Sequence, residues 1–253
     1  MKSIGFFDSG VGGLSVLRQA IKEMPEENYI YYGDNANAPY GNKEPSVIHS
    51  LTMSAVEHLI KKEIKALVIA CNTATSVAVE HIRGQLSIPV ISMEPAIKPA
   101  LENVDGKVLV MATPATLSQD RYLRLADHLG QQDRLINCPC DKLAGLIESH
   151  LRQDKTEIIK YLEALLEKHV GNVEGVVLGC THYVFVKDLI KEIMGDVSIF
   201  DGNCGTVMHL KHVMLQNGTK NTVGTRGTVH LESSSTDPGT IEMFKWLLNY
   251  QKG

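Results

Sequence analysis

Short, almost purely apolar runs alternate along the chain with longer stretches in which apolar and polar positions recur at helical spacing. The runs at 4–7, 29–32, 67–70, 89–91, 108–111, 135–136, 176–178 and 229–231 predict buried strands. The stretches at 13–24, 45–62, 73–83, 114–129, 140–151, 155–169, 182–194, 203–215 and 237–249 predict helices. In the first of these, Leu14, Leu17, Arg18 and Ile21 follow the i, i+3, i+4, i+7 rule, with the long arginine stem at one apolar position. Such alternation predicts an α/β fold whose parallel sheets are covered on both faces. Functional residues in that architecture gather at the carboxyl ends of the strands.

One pattern occurs twice. KALVIACNTATSVAVEHIR (65–83) lies over EGVVLGCTHYVFVKDLIK (174–191) with Cys71 and Cys180 in the same register. Each copy runs from small and apolar residues into cysteine, then polar residues, then a predicted helix. The separation is too long for a solenoid repeat. It fits two similar halves, each offering one thiol at a strand-to-helix junction. Halves that face each other would set the two sulfurs on opposite sides of one cleft.

Composition narrows the classes. At 253 residues and 43% hydrophobic content the chain can bury a full core, and a net charge of −4 with 21% charged residues carries no basic footprint for nucleic acid or an anionic membrane. Only MKSIGFF precedes Asp8, too short for a signal-peptide apolar region, and no run approaches membrane length. Five cysteines, an odd number, predict reduced thiols and a cytoplasmic protein rather than a disulfide framework. Cys138 and Cys140 lack zinc-ligand spacing, so no metal site is expected.

Two opposed thiols suggest a specific chemistry. A free thiol ionises near pH 8.5, so about 3% is thiolate at pH 7. A helix N-terminus, with roughly half a positive charge, would favour the thiolate at both cysteines. One thiolate can then take a proton from one face of a carbon while the other thiol delivers a proton to the opposite face. FFDSGVGG (6–13) ends the first strand in Asp8 and Ser9. Its glycines lack the third position of a dinucleotide fingerprint, where Ser15 stands, and no Gly-Lys-Ser/Thr follows to make a P-loop.

The motifs DSGVGG, YYGD, PYG, ACNTA, EPA, ATPATLSQDRY and GCTHY stand in the order and spacing that resemble the aspartate/glutamate racemase superfamily, in its bacterial glutamate racemase branch. The resemblance covers nearly the whole chain. It implies two pseudosymmetric α/β domains, one discontinuous, with the active site in the cleft between them. The domains expected are 1–96 with 208–253, carrying Asp8 and Cys71, and 97–207, carrying Glu148, Cys180 and His182. It also implies cofactor-independent interconversion of L- and D-glutamate, supplying D-glutamate for peptidoglycan. Cys71 and Cys180 resemble the two acid/base thiols, Asp8 a carboxylate that holds the substrate ammonium on the Cys71 side, and His182 the partner of Cys180. Glu148, beside the apolar Leu143, Leu146 and Ile147, matches a further acidic residue. Asp8-Ser9, Tyr40-Gly41, Asn72-Thr73 and Thr181-His182 resemble the substrate-binding dipeptides, and Thr116 is a candidate for the side-chain carboxylate. A small-molecule substrate and a homodimer are the partners expected.

Val184 stands where the family carries proline, and Asp201-Gly202-Asn203 replaces a late Asp-Ser-Gly. Neither departure touches a proton-transfer group. Aspartate racemisation is the sister alternative. A cysteine hydrolase would need a nucleophile–His–carboxylate relay and would leave Cys71 idle; a non-catalytic binding module would leave both thiols without a purpose.

Overall fold

The computed structural model describes residues 2–222 and 224–250, and in them the alternation becomes two parallel sheets. The strands are β1 (Ile4–Asp8), β2 (Tyr29–Gly33), β3 (Ala66–Ile69), β4 (Val90–Ser92), β5 (Val108–Ala112), β6 (Leu135–Pro139), β7 (Gly175–Leu178), β8 (Ser198–Asp201) and β9 (Val229–Ser233). The helices are α1 (Leu14–Glu23), α2 (Pro45–Ile60), α3 (Asn72–Gln85), α4 (Ile97–Asn103), α5 (Pro114–Ser118), α6 (Asp120–His128), α7 (Leu143–His150), α8 (Thr156–Leu166), α9 (Lys187–Met194), α10 (Asn203–Gln216) and α11 (Pro238–Leu248).

Strand order is β4-β3-β1-β2-β9 in one sheet and β6-β5-β7-β8 in the other, every pairing parallel. Read from its other edge, the second sheet runs β8-β7-β5-β6, the counterpart of β4-β3-β1-β2. β1 thus corresponds to β5, and β3 to β7. The protein is two α/β domains of matching topology. The central strands β1, β3, β5 and β7 are buried along their whole length, as continuous apolar runs between two helical layers must be. One hydrophobic cluster passes without a break from Phe6 and Val68 of the first sheet to Leu109 and Val176 of the second, so the domains share a core.

Four details depart from the expectations. The helix expected over 114–129 breaks at Gln119, whose φ of −81° and ψ of 141° are extended, so that α5 turns its start into the cleft while Tyr122 and Ala126 of α6 bury against the second sheet. The helix expected over 182–194 opens instead as a 3-10 turn, Thr181–Val186, and only then becomes α9. All six residues of that turn are buried, and the tighter winding packs Tyr183, Phe185 and Val186 at once. Helix α4 and strand β8 had no counterpart among the predicted elements; Pro99 sits in the first turn of α4, where its missing N–H costs nothing. Finally, the domain boundary expected at 207/208 falls inside α10, which runs unbroken and packs on α1.

Candidate active site

The carboxyl ends of β1 and β3 meet those of β5 and β7, and the expected site residues converge there. Cys71 follows β3 as the N-cap of α3, its Sγ accepting the Ala74 N–H at 3.4 Å, with Ser9 Oγ also 3.4 Å away. The residue is only 5% exposed. Burial pushes its thiol up to about 12, the Asp8 charge adds to the rise, and the bonds from Ser9 and Ala74 oppose it. The expectation that the helix N-terminus would favour the thiolate is overturned here: loss of water outweighs the helix charge.

Cys180 follows β7, in the position equivalent to Cys71, but the 3-10 turn after it supplies no α-helix N-terminus. A histidine stands in for one. Cys180 Sγ lies 3.6 Å from His182 Nδ1, and His182 Nε2 lies 2.7 Å from Glu148 Oε1 on α7. Burial disfavours charge on the buried imidazole, yet its bonds to Cys180 and Glu148, and their charges, hold its pKa well above the ordinary histidine value. His182 is therefore held towards its protonated form, between a sulfur and a carboxylate. Glu148 also accepts the Val11 N–H at 3.3 Å and keeps one quarter of its side chain exposed.

Asp8, fully buried, ties the domains together. Its Oδ1 accepts the Gly10 N–H at 2.7 Å and its Oδ2 accepts the Thr181 hydroxyl at 3.1 Å. Burial raises its carboxyl above the usual carboxylate range, against the pull of His182 and Gly10. The loop after β1 must pass hard against the relay. A Cβ at Gly12 would stand 2.4 Å from His182 Nδ1 and 2.8 Å from the His182 backbone nitrogen, and one at Gly10 would stand 2.1 Å from Glu148 Oε1. Only glycine fits such an approach.

The other expected binding residues line the same junction. Asn72, Thr73, Thr116 and Thr181 are buried, and Asn72 Oδ1 has no hydrogen-bond partner among the described residues. Tyr40 is buried and Gly41 lies against the Thr113 side chain. Thr73 Oγ1 is 2.9 Å from Thr113 Oγ1 and 3.2 Å from Thr116 Oγ1, while Thr113 and Thr116 are 2.9 Å apart, a triangle of hydroxyls spanning both domains. Thr113 was absent from the sequence expectations. The matching topology is the signal that finds it, because Thr113 follows β5 as Ser9 follows β1. Among the described residues no group of three or more His, Cys, Asp or Glu is set to hold a metal ion, and no helix is long and apolar enough to cross a membrane.

Residues 9–210 match the family described as Asp/Glu/Hydantoin racemase. The glutamate racemase of Clostridium perfringens (strain SM101 / Type A) is 45% identical over 249 residues, covering 97% of this chain and 95% of that protein. A glutamate racemase isoform of Bacillus anthracis superposes with a TM-score of 0.89 at 28% identity, over 100% of this chain and 96% of that one. The glutamate racemase of Francisella tularensis subsp. tularensis SCHU S4, in complex with D-glutamate, gives a TM-score of 0.83 at 29% identity, over 99% and 96% of the two chains. On motif, topology and near-full-length identity together, the chain belongs to the Asp/Glu/hydantoin racemase family.

Proposed function

We propose that the protein is a glutamate racemase that moves a proton between the two faces of Cα with two thiols and no cofactor. The observation that carries this is the matched pair: Cys71 and Cys180 follow equivalent strands of two similar domains and are both buried where those domains meet. Glutamate, rather than a shorter amino acid, is the substrate in the names of the three relatives described above.

The two sides are chemically unequal, and this sets the order of steps. Cys180 has the His182 ring 3.6 Å away as a proton partner, whereas burial holds Cys71 as a thiol. The enantiomer whose α-hydrogen faces Cys180 gives up that proton to the sulfur, and the C–H electron pair stays on Cα. The Cys71 thiol then delivers its proton to the opposite face. The reverse direction starts from the Cys71 thiolate, which the Ser9 hydroxyl and the Ala74 N–H stabilise. Asp8 and the unpartnered Asn72 Oδ1 are the acceptors for the substrate ammonium. The hydroxyls of Thr73, Thr113 and Thr116, with Ser9, Thr181 and the Tyr40-Gly41 backbone, are donors for its carboxylates. Fixed donors in a water-poor site stabilise developing negative charge better than water does.

The resemblance extends this reading to D-glutamate supply for peptidoglycan, in the cytoplasm, where thiols stay reduced, with a homodimer as the expected assembly. Incubation with L- or D-glutamate in deuterated water, without added cofactor, should bring the optical rotation to zero and place deuterium at Cα. Unchanged rotation and no exchange would refute the proposal. One observation favours a hydrolase: Cys180, His182 and Glu148 form the relay such an enzyme needs. That reading gives Cys71 no task, and full hydrolytic turnover of an amide or ester by Cys71→Ser would be its mark.

A further inference from the structure

Asp34 is a buried carboxylate that none of the chemistry above employs. It is 3% exposed, just beyond β2, and its side-chain partners among the described residues are all neutral. The Tyr40 hydroxyl donates to Oδ2 at 2.5 Å, and Asn37 Nδ2 reaches both oxygens, at 2.9 and 3.1 Å. A buried carboxylate without a cation is costly and persists only where its hydrogen bonds replace water. Phenol to carboxylate is among the strongest of such bonds, and its length here is that of a charge-assisted pair.

The bonds also have a geometric consequence. Residues 35–42 form two short 3-10 turns with few backbone bonds of their own, to which the Asp34 carboxylate adds three side-chain bonds within the loop. The Asp34 N–H in turn donates to the Asp8 carbonyl at 3.0 Å. One residue therefore joins the strand end that carries Asp8 to the loop that carries Tyr40 and Gly41. With its hydroxyl spent on Asp34, Tyr40 meets a substrate through its backbone.

We propose that Asp34 is a positioning residue: by holding the Tyr40 phenol it sets the spacing between the ammonium acceptor Asp8 and the carboxylate donors of the Tyr40-Gly41 turn. This rests on the racemase reading and on the binding role proposed there for Tyr40-Gly41. The test compares wild type, Asp34→Asn, Tyr40→Phe and the double variant by racemisation kinetics and by calorimetric binding of glutamate. Tyr40→Phe should raise KM and the dissociation constant roughly tenfold with kcat within about threefold, as loss of one charge-assisted bond implies, and Asp34→Asn, whose amide oxygen still accepts from the phenol, should raise both by less. The double variant should be no worse than Tyr40→Phe alone, since Asp34→Asn takes the charge from the bond whose donor Tyr40→Phe removes. A fall in kcat at unchanged KM, or losses that multiply in the double variant, would overturn the proposal while leaving the racemase intact. Should Asp34→Asn fail to fold, Tyr40→Phe removes the bond itself and decides the matter alone. A wild type that neither binds nor racemises glutamate overturns both readings.

Discussion

The two thiols answer to their neighbours more than to their position in the chain. Cys71 faces a carboxylate and a hydroxyl, and burial holds it as a thiol up to about pH 12. Its alkylation by iodoacetamide should therefore climb about tenfold per pH unit from neutrality to pH 10, because the thiolate fraction of an acid below its pKa rises by that factor. Peptide mapping after timed labelling at pH 7 and pH 10 checks this, and labelling of Cys71 that is as fast at pH 7 as at pH 10 would contradict the protonation state given to it. The glycines make a second test. Gly12→Ala drives a methyl into His182 and should cost about 1–3 kcal/mol in chemical denaturation, with a larger loss of kcat than of stability would explain. The matched places of Cys71 and Cys180 were legible from the repeated strand-to-helix junction, while the roles expected of Asp8 and His182 came from the family resemblance. The ionisation of Cys71 was not legible, since it depends on how much water the far domain removes.

Elements were legible where periodicity was strong and illegible where tertiary packing overrode it. Strands β1, β3, β5 and β7 are continuous apolar runs, and each was predicted to within about two residues at either end. The break at Gln119 has no proline or glycine to announce it; α5 and α6 separate because their buried faces belong to different surroundings. The 3-10 turn after Cys180 is hidden for a similar reason, as residues 181–186 carry no periodicity that distinguishes a three-residue from a 3.6-residue winding. Helix α5 is short but well capped: the Thr113 hydroxyl accepts the Thr116 N–H, and Pro114 occupies the first position. That hydroxyl also belongs to the triangle proposed to receive a substrate carboxylate. Thr113→Val should lose about 1 kcal/mol of stability from the cap and raise KM for glutamate, while Thr113→Ser should keep both properties. Denaturation midpoints and steady-state kinetics on the same preparations would show it, and a Val variant with unchanged KM would remove Thr113 from the binding set.

At the scale of the molecule, the duplication makes two thiol stations and the differences between the halves make them unequal. The internal echo was readable from the sequence, and so was the cleft. The relay was readable only in part, because Glu148 looks like one more solvated helix residue until α7 is packed against the 3-10 turn. Inequality of the halves does not permit a one-way enzyme. Enantiomers have equal free energy in water, so the equilibrium constant is unity and kcat/KM must be the same in both directions, for the wild type and for any variant. His182→Asn should therefore lower kcat/KM equally for L- and D-glutamate. What can differ is which proton transfer limits the rate. Without the imidazolium, removal of the α-proton by Cys180 becomes the harder step, so the α-deuterium isotope effect should grow mainly for the enantiomer that Cys180 deprotonates. Asp8→Asn should shift the isotope effect towards the enantiomer that Cys71 deprotonates, since Asp8 is assigned to that side. Isotope effects measured for both enantiomers with both variants test this pairing. If they remain equal in the two directions, His182 and Asp8 do not serve separate thiols, even where loss of either cysteine abolishes racemisation.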